Sequence, residues 1–384
     1  MTARASRAAA CLLVALFSCS APPGPSRPEP VPYRSASPSL SVTLTRARPA
    51  DPLRVAYPRG TLVVRGFPAG PAGASGIDEI DAQDGRLNVR GHGAVAGGLS
   101  YDPGPGGLLV VDGAAYRGAL AVTLSGGTLR LVHQVDLEDY LLGVVGSELP
   151  ASSPPAALEA QAIASRSYAL AGVRAGVELE DDESAQVYRG AGAESEAVRQ
   201  AVRATRGRVL LRGTRVLKAY FHSTCGGFRA GASEVFPDPP EPALEGNRCG
   251  FCDGTRHSTW RLEVPAAELA RLLQPLGVPS EVRELRVLDE HPSGRARTLV
   301  AVVPGGERRL PAIDFRRCLG THRLRSTWIT AIDRQGDVFA IRGRGFGHGV
   351  GLCQIGAIEQ ARRGRDARSI LEWYYPGATV EELW

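Results

Sequence analysis

The reading of this chain turns on LEDYLLGVVGSELPASSPPAALEAQAIASRSYAL, residues Leu137–Leu170. An acidic pair, Glu138 and Asp139, opens onto a short apolar run. A lone carboxylate, Glu148, follows in a turn rich in Ser and Pro. Pro154 and Pro155 stand where a helix start tolerates proline, because the missing N–H has no intrahelical partner there. The pattern therefore predicts a helix over about 155–173. Ala156, Leu158, Ala162, Ile163, Ser165, Ala169 and Leu170 give it a small-residue surface that another segment can approach closely. Gln161, Ser165 and Tyr168 fall on roughly one side at i, i+4, i+7 spacing, with Arg166 near the edge. Glu148, just ahead of this helix, can be held by the field of a helix start and by a nearby guanidinium.

Upstream, from 52 to about 135, the sequence is a series of short β-rich runs. Leu53–Tyr57, Thr61–Arg65, Arg86–Arg90, Leu108–Val111 and Ala119–Thr123 alternate with Gly and Pro clusters, and a hairpin at Tyr116-Arg117-Gly118 leads into Leu129–Val135. His92 and His133 read as structural. Downstream come an amphipathic helix at about 194–205 and a strand pair at Val209–Leu211 and Val216–Leu217. A strand then runs into Ser223-Thr-Cys-Gly-Gly227, where Gly226 and Gly227 would let backbone N–H groups approach a ligand. Residues 236–256 form a Pro/Gly/Cys loop, and 257–335 alternate strands with a helix at about 266–274. Near the end, Gly345-Phe-Gly-His348-Gly-Val-Gly351 presents a single His among glycines; the spacing of a phosphate-binding loop is absent. Helices at 354–363 and 370–375 close the chain. The fold class expected is α+β: a β-rich region over 51–130, then a mixed α/β core over 131–384 with a Cys-rich insertion at about 236–335.

The first residues read as an export signal. Arg4 and Arg7 precede an apolar stretch, Ala8–Phe17, too short to span a bilayer. Leu16-Phe17-Ser18-Cys19 resembles a bacterial lipobox, which makes Cys19 the expected lipidation site and residues 1–19 the signal; Ser20 does not favour retention in the inner membrane. Ordinary signal-peptidase cleavage nearby is the other reading. Residues 20–50, rich in Pro, Ser and Ala, read as a flexible tether. The expected location is the cell envelope, with a lipid anchor to a membrane, the outer one favoured.

A chain of 384 residues can bury a sizeable core. Its 45 Lys and Arg against 40 Asp and Glu leave it mildly basic, almost all of it Arg, with no dense basic block. Nucleic acid is therefore not an expected partner.

Glu148 is the expected acid/base, although a glutamate before a helix is also an ordinary helix-terminal residue. Glycoside cleavage with two carboxylates needs a second acid about 5–10 Å away; Glu138 and Asp139, about ten residues upstream, are the nearest in sequence. A lytic transglycosylase needs only one carboxyl, which protonates the leaving oxygen and then accepts the proton of the sugar's own C6 hydroxyl as that oxygen attacks the anomeric carbon. Among the 7 cysteines, Cys225, Cys249 and Cys252 with His257 make a four-ligand structural zinc set, with His222 able to replace His257. Disulfides or free thiols are the other readings, and Cys318 and Cys353 remain as a pair or as buried thiols. Such a metal would brace a loop; the chemistry itself needs no cofactor. His348 reads either as structural or as a residue of the substrate groove.

Taken together, Leu137–Val145, Ser147-Glu148-Leu149-Pro150, Ala157–Tyr168, Gln186-Val-Tyr-Arg-Gly190, Ser223–Gly227, Gly345–Gly351 and Tyr374-Tyr-Pro-Gly377 resemble the SpoIID/LytB family, named for stage II sporulation protein D and the amidase enhancer. The resemblance spans about 129 to the end. It implies a peptidoglycan lytic transglycosylase that cleaves between N-acetylmuramic acid and N-acetylglucosamine and leaves 1,6-anhydro ends. It places the catalytic glutamate at Glu148 and a supporting arginine at Arg166. Gln161, Arg166, Tyr168, Ser223, Gly226, Gly227 and His348 are the expected substrate-binding residues, with Arg166 expected to steer the glutamate or the sugar. The expected partners are glycan strands and an N-acetylmuramoyl-L-alanine amidase. The enhancer branch implies the alternative of a non-catalytic wall-binding protein that stimulates such an amidase. Zinc ligands that some relatives carry before the position of Gln186 are absent from this chain, where Glu180, Asp181, Asp182 and Glu183 stand instead.

Overall fold

The computed structural model describes residues 36–45, 52–65, 75–95, 97–182, 185–255, 257–279 and 281–384. The expected signal, Cys19 and most of the expected tether lie outside the described residues.

Two six-stranded sheets make the N-terminal half. One runs in the order Leu179–Glu180, Ser39–Thr43, Thr128–Asp136, Ala119–Ser125, Leu99–Asp102, Leu62–Arg65; the other runs Gly93–Val95, Arg86–Val89, Gly76–Gln83, Leu53–Tyr57, Leu108–Val111, Ala114–Arg117. The chain passes from the second sheet to the first at Gly118, between consecutive strands. That residue has φ +81°, and a Cβ there would sit 2.3 Å from the Gln134 carbonyl oxygen, so glycine is required. The expected tether therefore ends earlier than residue 50. Ser39–Thr43 pairs antiparallel with Thr128–Asp136 and buries Leu40 and Val42, the alternate positions of a half-buried strand. A boundary at 130 also falls inside a strand.

The helices are α1 (Leu137–Glu148), α2 (Pro155–Arg174), α3 (Glu196–Ala204), α4 (Ala266–Leu272), α5 (Ala312–Leu319), α6 (Gln354–Arg362) and α7 (Ala367–Tyr374). Asp136 caps α1, its side chain accepting from the Glu138 N–H at 2.8 Å. Pro150 follows the end of the same helix, as the bias of a pre-proline residue against helical geometry favours. Pro155 opens α2 without a side-chain cap.

α2 is apolar around most of its circumference and is buried accordingly. Leu158, Ala162 and Ala169 belong to a core that also holds both sheets and α1, so the β-rich region and the helices share one interior. Ala160, Ile163 and Ala164 belong to a second core with α6, α7 and most of the cysteines. A third core lies between Trp260 and Ile341. It is built from two three-stranded sheets, Thr259–Pro265 with Val338–Arg344 and Ile329–Gln335, and Glu284–Glu290 with Ala296–Val303 and Gly306–Pro311, together with α4 and α5. The expected Cys-rich insertion at 236–335 does not coincide with this unit, because Cys249 and Cys252 pack into the second core and only Cys318 lies in the third.

Candidate active site around Glu148

Glu148 is the last residue of α1, half-buried, with both carboxylate oxygens engaged. Oε1 accepts from the Val187 backbone N–H at 3.1 Å and Oε2 from the Gln354 side-chain amide at 3.0 Å. Val187 comes close because α1 runs against the segment 188–193 at two glycines. A Cβ on Gly143 would meet the Tyr188 ring at 2.5 Å, and one on Gly146 would meet the Ala193 carbonyl oxygen at 2.0 Å. Gln354 is the first residue of α6. Its amide also points toward Gln161 Oε1 at 3.4 Å, and Gln161 in turn donates to Ser165 Oγ at 3.0 Å. The Gln186 side chain donates to the Ser165 carbonyl at 3.4 Å. The carboxylate thus ends a buried amide chain contributed by α2, α6 and the segment before Gly190. Tyr140, fully buried one helix face away, has its hydroxyl pKa pushed well up, chiefly by burial and then by neighbouring charges that include Glu148.

The second carboxylates considered above are out of reach. Glu138 and Asp139 lie ten and nine residues before Glu148 on the same helix, which at 1.5 Å per residue separates them by about 13–15 Å. Asp139 is half-buried and its pKa is raised, chiefly by burial.

Glu138 has another task, and Arg166 is its partner. The guanidinium is fully buried, with Nε to Glu138 Oε1 at 3.0 Å and Nη2 to Oε2 at 2.7 Å. It also donates to the Arg208 carbonyl at 3.1 Å, while Gly207 N–H and Trp384 Nε1 donate to Glu138. This corrects the expectation that Arg166 faces the glutamate or the sugar. The side chain turns to Glu138 and to the carbonyls of Arg208 and Val202, so the pair ties α1 and α2 to α3 and the strand Arg208–Arg212.

The other expected binding residues divide. Gln161 is fully buried and reaches Glu148 only through Gln354. Tyr168 is half-buried against Tyr220 and Phe221, with ring centroids 5.6 and 6.3 Å away; burial and the Asp238 carboxylate push its pKa to about 12. The Ser223 carbonyl accepts from the Ile355 N–H at 3.0 Å, which sets this loop against the start of α6. A Cβ on Gly226 would be 2.7 Å from the Gly345 nitrogen, and one on Gly227 would be 2.8 Å from Asp253 Oδ1, so their glycine character serves packing against the last strand of the third core and the Cys loop.

His348 has both ring nitrogens occupied. Nδ1 accepts from the Val350 N–H at 3.1 Å and Nε2 donates to the Phe221 carbonyl at 2.8 Å. Tyr220, His222 and Phe236 surround it edge-on at 5.2–5.9 Å, and burial pushes its pKa down to about 3. Neutral and doubly hydrogen-bonded, it is a fixed wall residue, lining a cavity of about 210 Å³ with Glu234, His291 and Arg295.

The cysteines assemble differently from the expected set. The sulfurs of Cys225, Cys249, Cys252 and Cys353 all lie within 4.8 Å of one another, and all four residues are buried. His257 is not among them; its Nδ1 faces Arg325 Nη1 at 3.2 Å and its ring stacks edge-on near Phe346. His222 is also outside the group, its Nδ1 facing the Val350 carbonyl. Cys353 takes the fourth place because Phe221–His222 and Leu352–Cys353 pair as short parallel strands, bringing Cys353 to Cys225. Nothing local in the sequence marks that pairing, and Gln354, the next residue, was missed for the same reason.

Residues 125–211, which hold α1, Glu148 and α2, match the family model SpoIID, stage II sporulation protein. Residues 251–351 match a domain of unknown function, DUF8618, whose span includes all of the third core. Stage II sporulation protein D of Bacillus subtilis is 30% identical over 278 residues, covering 65% of this chain and 76% of that protein. An uncharacterised protein of Brachyspira hyodysenteriae is 29% identical over 300 residues, 77% of this chain and 79% of its own length. The amidase enhancer of Bacillus subtilis is 27% identical over 285 residues, 62% of this chain but 40% of that longer protein. The fold and site thus define an α+β protein with one positioned carboxylate at a helix end. The chain belongs to the SpoIID/LytB family.

Proposed function

We propose that this protein is a peptidoglycan lytic transglycosylase of the cell envelope, with Glu148 as the acid/base. The observation that carries the reading is the geometry of one carboxylate: half-buried, held at both oxygens by Val187 and Gln354, and about 13–15 Å along α1 from the nearest acids in sequence. A hydrolase that relies on two carboxylates does not fit Glu148 with Glu138 or Asp139. A one-carboxyl reaction does. The protonated Glu148 gives its proton to the glycosidic oxygen between N-acetylmuramic acid and N-acetylglucosamine. The C6 hydroxyl of the muramic residue attacks its own anomeric carbon, and Glu148 recovers a proton from that hydroxyl as the 1,6-anhydro bond closes. No water is consumed. The amide chain Gln354–Gln161–Ser165 fixes the carboxyl, the kind of preorganisation that lowers a barrier without moving at the moment of reaction.

The substrate is glycan strands, and an N-acetylmuramoyl-L-alanine amidase acting on the same material is the partner. Export with a lipid anchor at Cys19 would bring the enzyme to the wall. None of the helices among the described residues is long and apolar enough to cross a membrane.

The likeness to an amidase enhancer favours a second reading, a wall-binding protein that stimulates an amidase without cleaving glycan. Incubation with stem-peptide-free strands followed by mass spectrometry separates the two. Anhydro-ended products that vanish in Glu148→Gln support the enzyme; amidase stimulation that persists in Glu148→Gln without such products supports the enhancer.

A further inference from the structure

Two arginines are buried beside the four clustered cysteines. Arg229 is fully buried and donates to Asn247 Oδ1 and, at 2.6 Å, to the Tyr374 carbonyl. Arg295 is 1% exposed and donates to the carbonyls of Phe228 and Cys225, each at 3.1 Å; its Nε has no partner among the described residues. Neither forms an ion pair with a carboxylate among the described residues. A guanidinium stays charged in proteins, and an uncompensated buried charge costs several kcal/mol or about that order. Four neutral thiols do not supply the missing negative charge. Four thiolates around a divalent ion do, because such a centre carries a net charge of about minus two, which the two guanidiniums match.

The sulfurs are also prepared as ligands. Cys353 Sγ receives the N–H groups of Cys225 and Gly356, both at 3.3 Å, as the capping residue of α6. Cys249 Sγ lies 3.3 Å from the Tyr374 hydroxyl. Gly250 turns the Cys249-Gly-Phe-Cys252 knuckle with φ +73°. A Cβ on Gly356 would come within 3.1 Å of Cys249 Sγ and 3.3 Å of Cys353 Sγ, so glycine keeps the space clear. Tetrahedral zinc with Zn–S bonds near 2.3 Å needs sulfurs about 3.8 Å apart, and these lie within 4.8 Å already.

We propose that Cys225, Cys249, Cys252 and Cys353 hold one zinc ion in a closed four-sulfur site, charge-balanced by Arg229 and Arg295. Four protein ligands leave no open position, so the ion is structural. It ties the Ser223–Gly227 loop and the Cys249–Cys252 knuckle to the start of α6. Cys225 and Cys252, with sulfurs 3.2 Å apart, could instead form a disulfide in an oxidising compartment, but that would leave Arg229 without counter-charge and Arg295 with only the Glu234 carboxylate across the same cavity.

The test is elemental analysis of the full chain, purified without added metal, alongside intact mass after alkylation under denaturing conditions. The expected result is about one zinc per chain, with the four ligand thiols alkylated once the metal is removed. Cys353→Ser is expected to lose the zinc and His257→Ala to keep it. A ligand variant can simply fail to fold, so the wild-type chain is also grown with cobalt(II). Intense visible absorption of tetrahedral thiolate-bound cobalt is expected. Metal far below stoichiometry overturns the site, whether the thiols are free or oxidised to disulfides. So does zinc that survives Cys353→Ser and is lost in His257→Ala.

Discussion

Gln354 Nε2 donates to Glu148 Oε2 at 3.0 Å, joining the first residue of α6 to the last of α1 across 206 positions of sequence. Leaving a buried polar group without its hydrogen-bond partner costs about 1–3 kcal/mol. Gln354→Ala is therefore expected to lower kcat/KM on denuded glycan strands by about 10- to 100-fold, with the far-UV circular dichroism spectrum unchanged. Activity within about twofold of wild type would show that Glu148 does not depend on this contact.

Arg166 and Glu138 form a buried bidentate pair. Breaking such a pair from one side leaves a charge without its partner and costs about 3–5 kcal/mol. Denaturant unfolding of Arg166→Ala should show a loss of this size, and Arg166→Lys, which cannot form the fork, should lose a large part of it. A fully stable Arg166→Ala with impaired turnover would instead return this residue to the site.

Gly146 admits no side chain, since a Cβ would stand 2.0 Å from the Ala193 carbonyl oxygen. Gly146→Ala must push α1 away from the segment that brings Val187 to Glu148. The overpacking is expected to cost about 1–3 kcal/mol, with turnover falling further than stability does. Melting temperature and product formation, measured on the same sample, read out both.

The pH response follows from buried neutral histidines. Burial pushes the pKa of His133 down to about 4 and that of His348 down to about 3. Both are neutral when folded, while the unfolded chain takes up protons near the ordinary histidine value of about 6.5. Stability is therefore at its plateau above about pH 6.5 and declines as pH falls from there toward 4, by on the order of 3 kcal/mol per histidine over the full window. Urea midpoints at several pH values should show this fall, and His133→Gln should flatten the slope whatever its effect on the plateau. A midpoint that does not fall between pH 6.5 and 4 would contradict the assignment.

What the sequence made legible were the features with local causes. Pro155 at the first helical turn and the small residues behind it place α2 within one residue of its observed end, and Glu148 stands out because it precedes that helix. Other features depend on distant partners. Ser39–Thr43 looks like tether because its neighbours are Pro and Ser; it is a strand because Thr128–Asp136 pairs with it. Gly76–Gln83 is not among the expected strands; it pairs with Leu53–Tyr57 and Arg86–Val89, and its Asp78 is buried and accepts from the Tyr101 hydroxyl at 2.8 Å. Helical spacing put Arg166 near the face that carries Gln161 but could not show that Glu138, 28 residues earlier, draws it inward. Cys353 and Gln354 reach the cysteines and Glu148 only because two very short strands pair across the chain.

In the proposed reaction one carboxyl, Glu148, does the work of both acid and base. Stem-peptide-free glycan strands incubated with wild type and with Glu148→Gln, then analysed by mass spectrometry, test it most directly. Wild type is expected to give 1,6-anhydro-muramic ends and Glu148→Gln none above background, with both proteins equally folded. Reducing, hydrated ends from wild type, or anhydro ends at the wild-type rate from Glu148→Gln, would contradict it.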